Sequence, residues 1–165
     1  MDTEKINWLA GIIDGEGSFT LNRRCGVNSG QDSFITRLQI GNTDMGMIKK
    51  ISEIFVPLGI KFYYGLHNPH KKFPNAKRYL TINVEGYRSM TKIIDAVDGK
   101  LFTHQKSQQL ALIKEYIIFR NNIAAGIESR DPEKDKAFAL KVKSLVGYQV
   151  SPSTTLREAS TVLRW

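Results

Sequence analysis

The stretch Leu9-Ala10-Gly11-Ile12-Ile13-Asp14-Gly15-Glu16-Gly17 decides the fold. We expect a short helix, with Asn7 in the cap region and two turns from Trp8 to Asp14. Gly15 and Gly17 are expected to end this helix by adopting positive φ. The two acids at its end are unusual, because a helix C-terminus is negative and an anion there costs about 0.3–1 kcal/mol. A compensating positive charge is therefore expected, and a divalent cation is the natural candidate.

The same stretch carries small residues at helical spacing. Positions 10 and 14 are four residues apart, as are positions 11 and 15, so each pair shares one helix face. A face without bulky side chains lets a second backbone approach closely. The spacing therefore predicts an interface between two copies of the chain, formed by Ala10, Gly11, Asp14 and Gly15. The larger apolar residues remain for the core: Trp8, Leu9, Ile12 and Ile13.

Glu16 lies where a cation could be held. Mg2+ prefers oxygen ligands and is commonly bound through one or two carboxylates together with waters and phosphate oxygens. The Glu16 carboxylate and the Gly15 carbonyl at the helix end supply such oxygens. Two helices side by side would bring two copies of Glu16 together under one substrate.

The composition favours a nucleic-acid partner. The chain has 165 residues, a net charge of +8 and 41% hydrophobic residues, which suits one domain with a real core. A basic protein of this size usually meets polyanions. A membrane is disfavoured, because no segment is apolar for the roughly 18 residues that a spanning helix needs. The single cysteine, Cys25, excludes an internal disulfide and a cysteine-based zinc site.

The periodicity of apolar residues predicts an α+β fold. Strands are predicted over 18–25, 33–41, 60–66 and 77–85, and helices over 44–56, 86–97 and 102–122. A further helix starts at Asp131-Pro132-Glu133 and ends near Gly147. This order predicts one antiparallel sheet with helices on one face and a free second face. The domain spans residues 1–148; the tail, 149–165, either packs on the core or is partly disordered.

The free sheet face is a candidate nucleic-acid surface. Side chains alternate between the two faces of a strand. The outward sets of the first two strands are Ser18, Thr20, Asn22 and Arg24, with Ile35, Arg37 and Gln39. For the last two strands we choose Lys61, Tyr63 and His67, with Tyr79, Thr81 and Asn83. Arg suits guanine, and Asn or Gln suits adenine, in the major groove. The basic hairpin loop would contact phosphates through Lys71, Lys72 and Lys77.

A solvated sheet face is the alternative interpretation of that alternation. The predicted outward set is rich in Arg, Asn, Gln, Thr and Tyr and carries no Asp or Glu. A face that is merely soluble would be expected to carry acids as well. The composition therefore favours a nucleic-acid surface.

Residues 9–17 resemble the signature motif of the LAGLIDADG homing endonucleases. Trp8, Ser18 and Phe19 extend the likeness, and the order of elements agrees over roughly residues 6–122. The resemblance implies the αββαββα LAGLIDADG fold, with a curved four-stranded sheet over the DNA major groove. Glu16 replaces the commoner aspartate and keeps the oxygen ligand. One copy of the motif is present, which in this family implies a homodimer.

The resemblance also implies an activity. The chain would be a Mg2+-dependent, site-specific endodeoxyribonuclease that makes staggered double-strand breaks in a long pseudo-palindromic target. Mn2+ would substitute, and Ca2+ would bind without supporting cleavage. The gene would lie within an intron or intein.

The family's site residues transfer to particular positions of this chain. Glu16 and Gly15 would hold the metal, and Asn42 matches the family's water-binding amide. The basic residue near the scissile phosphate is either Lys106, within a Gln-Lys pair, or His104 two residues earlier. Asp14 is assigned to structure, as a partner for backbone amides or for the opposing helix.

Two other functions remain open at this stage. An RNA maturase would assist splicing of its own intron through a basic surface outside the DNA face, such as Lys134, Lys136, Lys141 and Lys143. A DNA-binding regulator that lost catalysis usually lacks the motif acid, and Glu16 is present.

The predicted location is intracellular, since residues 1–5 lack the apolar core of a signal peptide. The compartment would be a mitochondrion or chloroplast if the gene is organellar, and otherwise a bacterial or archaeal cytoplasm.

Overall fold

The computed structural model describes residues 2–24, 33–68 and 77–145. The elements follow in the order α1 (Thr3–Glu16), β1 (Gly17–Arg24), β2 (Ser33–Asn42), α2 (Met45–Phe55), β3 (Tyr63–His67), β4 (Tyr79–Glu85), α3 (Tyr87–Val97), α4 (His104–Ala124) and α5 (Pro132–Ser144). Cys25, Lys71, Lys72, Gly147 and the predicted tail lie outside the described residues.

The four strands form one antiparallel sheet in the order β1-β2-β4-β3. One face of this sheet packs against the helices through side chains with 0% exposure, namely Phe19, Leu38, Ile40, Ile82 and Val84. The predicted α+β architecture is therefore confirmed. In the part of the chain that the structure describes, no helix is long and apolar enough to cross a membrane.

Helix α1 begins earlier than the sequence pattern predicted. Asp2, not Asn7, is the N-cap residue, and its carboxylate accepts a hydrogen bond from the Glu4 backbone amide at 3.0 Å. The first turn is polar because it faces solvent, and Ile6 is the first residue of the helix to enter the core.

Gly17 ends α1 for a steric reason rather than a conformational one. The prediction of positive φ at Gly15 and Gly17 is wrong: Gly15 stays helical, and Gly17 has φ −79° and ψ 149°. A Cβ atom at Gly17 would lie 2.6 Å from the Ile13 carbonyl oxygen. Only glycine therefore lets the chain pass from the end of α1 directly into β1.

The other helices begin close to where the sequence predicts. The Asp44 side chain accepts hydrogen bonds from the Gly46 and Met47 amides and caps α2. Asp131 caps α5 in the same way, with Pro132 in the first turn. These side chains satisfy amides that have no partner within the helix.

Strand β3 begins at Tyr63, three residues later than predicted. The Ile60 amide donates to the Phe55 carbonyl at the end of α2, and the Lys61 amide donates to the Ser89 hydroxyl. The backbone before Tyr63 is therefore bonded to the helical layer instead of to β4.

A buried polar cluster joins α4 to α5. Asp135 is 1% exposed, and its carboxylate accepts hydrogen bonds from the Tyr116 hydroxyl at 2.9 Å and from Arg120 Nη1 at 3.1 Å. The Tyr116 hydroxyl also lies 3.3 Å from the Phe34 carbonyl of β2. This cluster ties the two C-terminal helices to the sheet.

The cluster predicts a pH dependence of stability at alkaline pH. Burial, supported by the hydrogen bond to Asp135, raises the pKa of Tyr116 above its ordinary value. Below pH 10 the phenol is protonated in both the folded and the unfolded chain, so its contribution is complete. Above pH 10 only the unfolded chain releases this proton, and the free energy of unfolding falls by about 1.4 kcal/mol per pH unit.

The Tyr116→Phe variant should lack this part of the pH dependence. Urea denaturation at several pH values between 8 and 11 should give a shallower alkaline decline for the variant than for the natural chain, even though its stability is lower throughout. Equal declines would contradict a buried, protonated phenol.

Candidate functional site

The end of α1 and the start of α4 are joined by the carboxylate of Asp14. Its oxygens accept hydrogen bonds from the Phe102 amide at 2.6 Å, the Thr103 amide at 3.2 Å and the Thr103 hydroxyl at 2.7 Å. The Thr103 hydroxyl in turn caps α4 at the Lys106 amide. Asp14 is thus a partner for backbone amides of its own chain, which explains an acid at a helix C-terminus.

Lys106 is brought to the exit of the motif by this junction. Its ammonium donates a hydrogen bond to the Gly17 carbonyl, one residue beyond Glu16. Burial lowers the pKa of Lys106, and the nearby charge of Asp14 partly offsets that effect. The positive charge predicted near the two acids of the motif is therefore supplied, at least in part, by Lys106.

Glu16 and Asn42 line one depression. It has a volume of 290 Å³, and its other lining residues are Gly41, Thr43 and Tyr79. Glu16 ends α1 and is exposed, whereas Asn42 ends β2. The fold thus brings together two predicted catalytic residues that are 26 positions apart in the sequence.

One end of the Asn42 amide is already occupied. Its Oδ1 atom accepts a hydrogen bond of 2.8 Å from the Asp44 backbone amide, next to the start of α2. The amide nitrogen can donate to a water or to a phosphate oxygen, and the oxygen keeps a second lone pair that can accept from a water.

His104 is oriented along α4 by a neighbour. Its Nε2 atom lies 2.8 Å from the side-chain amide of Gln108, one turn further on. Of the two alternatives for the basic residue, only Lys106 has a hydrogen bond to the end of the motif among the described contacts.

The chemistry of the donors suits a hard cation. The last hydrogen bond of α1 runs from the Gly17 amide to the Ile13 carbonyl, so the later carbonyls, including that of Gly15, have no donor within the helix. Together with the Glu16 carboxylate they form an all-oxygen set, as Mg2+ requires. Among residues 2–24, 33–68 and 77–145, no three acidic, histidine or cysteine side chains gather at one point. One chain therefore offers one carboxylate at the depression.

The register of the sheet assembles the predicted polar face. Ser18 pairs with Gln39, Thr20 with Arg37 and Asn22 with Ile35. On the other side of β2, Gln39 pairs with Asn83, which pairs with Tyr63 of β3. The predicted outward residues of all four strands therefore share one face, opposite the helices.

Thr81 and Asn83 differ from the prediction, because each is only 1% exposed. The Asn83 amide donates to Thr81 Oγ1 at 3.0 Å, and His67 Nε2 lies 3.2 Å from the same oxygen. The His67 ring stacks on Tyr79 with centroids 4.7 Å apart. Thr81 and Asn83 lie on the polar face, but neighbouring side chains cover them. They therefore support the surface side chains and are not part of the surface themselves.

Two glycines make room for this covering layer. Gly41 and Gly65 lie on either side of Thr81 in one row across β2, β4 and β3. A Cβ at Gly65 would lie 2.6 Å from Thr81 Oγ1, and a Cβ at Gly41 would lie 3.5 Å from the Tyr79 ring. The absence of side chains at Gly41 and Gly65 therefore lets the His67–Tyr79 pair pack flat on the sheet, beside the Glu16–Asn42 depression.

The remaining predicted binding residues lie at the margins of this face. Lys61 and Lys77 are exposed and flank the ends of β3 and β4, while Arg24 is exposed at the end of β1. Lys134, the first of the α5 lysines, lies 3.5 Å from Glu128 and over the Phe119 ring. The other α5 lysines are exposed at positions 136, 141 and 143.

The predicted interface is smaller than the spacing suggested. Ala10 has 0% exposure and packs into the core of its own chain, so it is not available to a partner. Gly11 and Gly15 are exposed, and a Cβ built on either meets no atom within 4 Å. Asp14 is committed to Phe102 and Thr103.

The sequence pattern missed one residue of the polar face, Glu85, and gave a second, Tyr79, only part of its contacts. Glu85 pairs with Arg37 across β2 and β4, which places an acid on a face predicted to carry none. Tyr79 was assigned to DNA, but it also lines the depression with Glu16 and Asn42. Extending the alternation of β4 by one step from Asn83 would have found Glu85.

Comparison with solved structures identifies the fold. The homing endonuclease I-CvuI, in complex with its target in the presence of Ca, matches with a TM-score of 0.66 and 18% identity, over 97% of this chain and 92% of that chain. The archaeal intron-encoded homing endonuclease I-Vdi141I, complexed with DNA, matches with a TM-score of 0.64 and 16% identity, over 96% and 94%.

A larger relative of the same fold matches only in part. The I-LtrWI LAGLIDADG homing endonuclease, bound to target DNA, has a TM-score of 0.60 and 20% identity, over 96% of this chain and 49% of that chain. No family model matches the sequence, and no curated protein matches it either.

The chain has the LAGLIDADG homing endonuclease fold. The resemblance inferred from residues 9–17 is thereby confirmed at the level of the fold, with the motif forming most of α1 and its exit into β1.

The Asp14 junction predicts a marked loss of stability in the Asp14→Ala variant. Removing three hydrogen bonds to one carboxylate, including bonds to the cap of α4, should lower the free energy of unfolding by about 1–3 kcal/mol. Urea denaturation measures this change.

The matched control is Glu53→Ala. This exposed carboxylate lies 3.9 Å from Lys49 in a surface pair of a kind worth about 0–1 kcal/mol. If the two variants lose equal stability, Asp14 does not hold the junction.

Proposed function

We propose that the chain is a homing endonuclease of the LAGLIDADG family, which binds a long pseudo-palindromic DNA target and hydrolyses one phosphodiester bond on each strand to leave staggered ends. The observation that carries this proposal is the depression shared by Glu16 and Asn42, with Lys106 bonded to the neighbouring Gly17. The depression lies beside the polar sheet face, where a bound duplex would present its backbone. The DNA complexes of I-CvuI and I-Vdi141I support the same use of this fold.

Glu16 and the Gly15 carbonyl would hold Mg2+, with Mn2+ as a substitute and Ca2+ as a cation that binds without supporting cleavage. When bound, the cation would supply Lewis-acid chemistry, which activates a water as the nucleophile and offsets charge on the phosphate. Asn42 orients the attacking water through its side-chain amide, whose oxygen also accepts from the Asp44 amide.

Lys106 offsets negative charge that develops on the phosphate. Its hydrogen bond to Gly17 holds the ammonium near Glu16, so the charge is in place before the substrate arrives. His104 lies at the exposed start of α4 and is the weaker choice for this role.

We propose a homodimer, because one chain offers one Glu16 and two strands must be cut. The coverage of the neighbours supports this assembly: the chain matches 92% of I-CvuI but only 49% of I-LtrWI. The exposed backbone at Gly11 and Gly15 is where two α1 helices could approach each other closely.

Metal-dependent cutting predicts a separation of binding from cleavage in the Glu16→Gln variant. The variant should bind a duplex spanning the intronless insertion site as tightly as the natural chain, but cleave it at least about 100-fold more slowly in Mg2+. A gel assay of binding and cleavage measures both, with Glu53→Gln on α2 as the control. Retained cleavage would remove Glu16 from the site.

The same assay separates the other two functions. If the protein is a DNA-binding regulator, the natural chain, with Glu16 in place, would already bind the duplex without cutting it. An RNA maturase would restore intron splicing equally well with Glu16 or with Gln at that position.

The dimer predicts that bulk at Gly11 dissociates the protein. Gly11→Leu places a side chain in open space in the single chain, so folding is preserved, but the close approach of a second α1 is blocked. Sedimentation velocity should show a monomer for this variant and a dimer for the natural chain. The control is Ala137→Leu, at an exposed position of α5. A dimer that survives Gly11→Leu would place the interface elsewhere.

A further inference from the structure

Arg37 occupies the middle of the polar face and is held there by its neighbours. It pairs with Thr20 of β1 on one side and with Glu85 of β4 on the other. Its Nη2 atom donates to Asn83 Oδ1 at 2.8 Å, and its Nε atom is 3.5 Å from Glu85 Oε1. Three strands therefore contribute to the position of one guanidinium.

Glu85 is itself held by a further residue. The Tyr63 hydroxyl, from the edge strand β3, donates to Glu85 Oε1 at 2.7 Å. Burial, followed by the hydrogen bond to Glu85, raises the pKa of Tyr63, so this hydroxyl keeps its proton and remains a donor. We call Arg37, Glu85, Asn83 and Tyr63 the arginine clamp.

The clamp leaves part of the guanidinium open. The side chain of Arg37 is 25% exposed, and within the described residues its Nη1 atom makes no hydrogen bond. The Nε atom lies next to Glu85, and the Nη2 atom is bonded to Asn83. Donors therefore remain on Nη1 and Nη2 of a planar group that has Asn83 hydrogen-bonded to Nη2 and the Glu85 carboxylate near Nε, which is buried without a hydrogen bond of its own in the described part of the chain.

The charge of the clamp argues against a phosphate as its ligand. Arg37 and Glu85 form a neutral pair, and the carboxylate would repel a phosphate at close range. The exposed Arg24 at the end of β1 has no such partner in its cross-strand pairing, which is with Ser33. A fixed, neutralised guanidinium instead suits the two acceptors of guanine, O6 and N7, which need correct geometry more than net charge.

We infer that Arg37 recognises one guanine in each half of the DNA target, and that Glu85, Asn83 and Tyr63 are positioning residues for it. This inference rests on the proposed function, since it assigns a base preference to the same DNA-binding face. A bidentate contact of this kind gives about a 10- to 100-fold preference for guanine over other bases.

The experiment is a binding selection from a random duplex library with the full chain. All proteins carry Glu16→Gln, so the DNA is bound and not cut. The parent should enrich a two-fold symmetric site with guanine at one particular position of each half. Adding Arg37→Lys should remove the preference at that position and leave the other positions unchanged.

Tyr63→Phe tests whether Tyr63 positions Arg37, and it does so with a small change to the side chain. It removes one hydroxyl and should broaden the choice of base at the same position by a smaller factor than Arg37→Lys. The matched control is Tyr64→Phe, at the adjacent residue, which is 53% exposed on the opposite face with its ring edge against Phe62. Tyr64→Phe should leave the selected site unchanged.

Salt dependence separates a base contact from a phosphate contact. Loss of one phosphate contact lowers the slope of log K against log salt by about 0.9. We expect Arg24→Ala to lower the slope in this way, and Arg37→Ala or Tyr63→Phe to weaken binding without changing the slope.

The outcomes are distinct. An enriched site that keeps guanine with Arg37→Lys overturns the inference and leaves the proposed function standing. The same holds if Arg37→Ala lowers the salt slope, since Arg37 then contacts a phosphate. Enrichment of no sequence by the parent overturns the proposed function, and this inference with it.

Discussion

The contact on which the site depends is the hydrogen bonding of Asp14 to the start of α4. Its carboxylate at the negative end of α1 accepts from two amides and one hydroxyl at the positive end of α4. Two helix termini of opposite polarity are joined through one side chain. Because α4 starts at this point, Lys106 reaches the Gly17 carbonyl and stands beside Glu16. The acid that looks unfavourable in the isolated helix is favourable once α4 is present.

The two faces of the sheet have different roles: one packs against the helices, and the other carries the polar side chains. The face with Leu38, Ile40 and Ile82 is closed by helices, and its packing fixes the register of all four strands. The opposite face consequently has its polar side chains in set rows. Half of that face, around β4 and β3, is bonded into a layer of its own, which includes Thr81 and the His67–Tyr79 stack. The other half, on β1, presents partly exposed Ser18, Thr20 and Asn22.

This division has a consequence for recognition. Side chains in the bonded layer cannot rearrange without breaking buried hydrogen bonds, so they offer donors in fixed places. Those on β1 can adjust to a ligand. For the proposed function, a surface with both kinds of side chain would combine a few well-defined base contacts with adaptable ones.

The sequence by itself determined the class of fold and supplied the candidate residues of the site. Apolar alternation and helix caps such as Asp44 and Asp131 depend on neighbours along the chain, so strands, helices and the polar face followed from pattern. The motif at residues 9–17 made Glu16 a candidate, and the resemblance that it carries added Asn42 and Lys106. Only the tertiary structure decided that Gly17 is required by contact with Ile13, that Ala10 belongs to the core, and that Asp14 binds the start of α4. It also decided that Glu85 holds Arg37 and that Thr81 and Asn83 are covered. Each of these facts depends on atoms that are distant in sequence or on which side of a helix meets the core, and no local pattern encodes such distances.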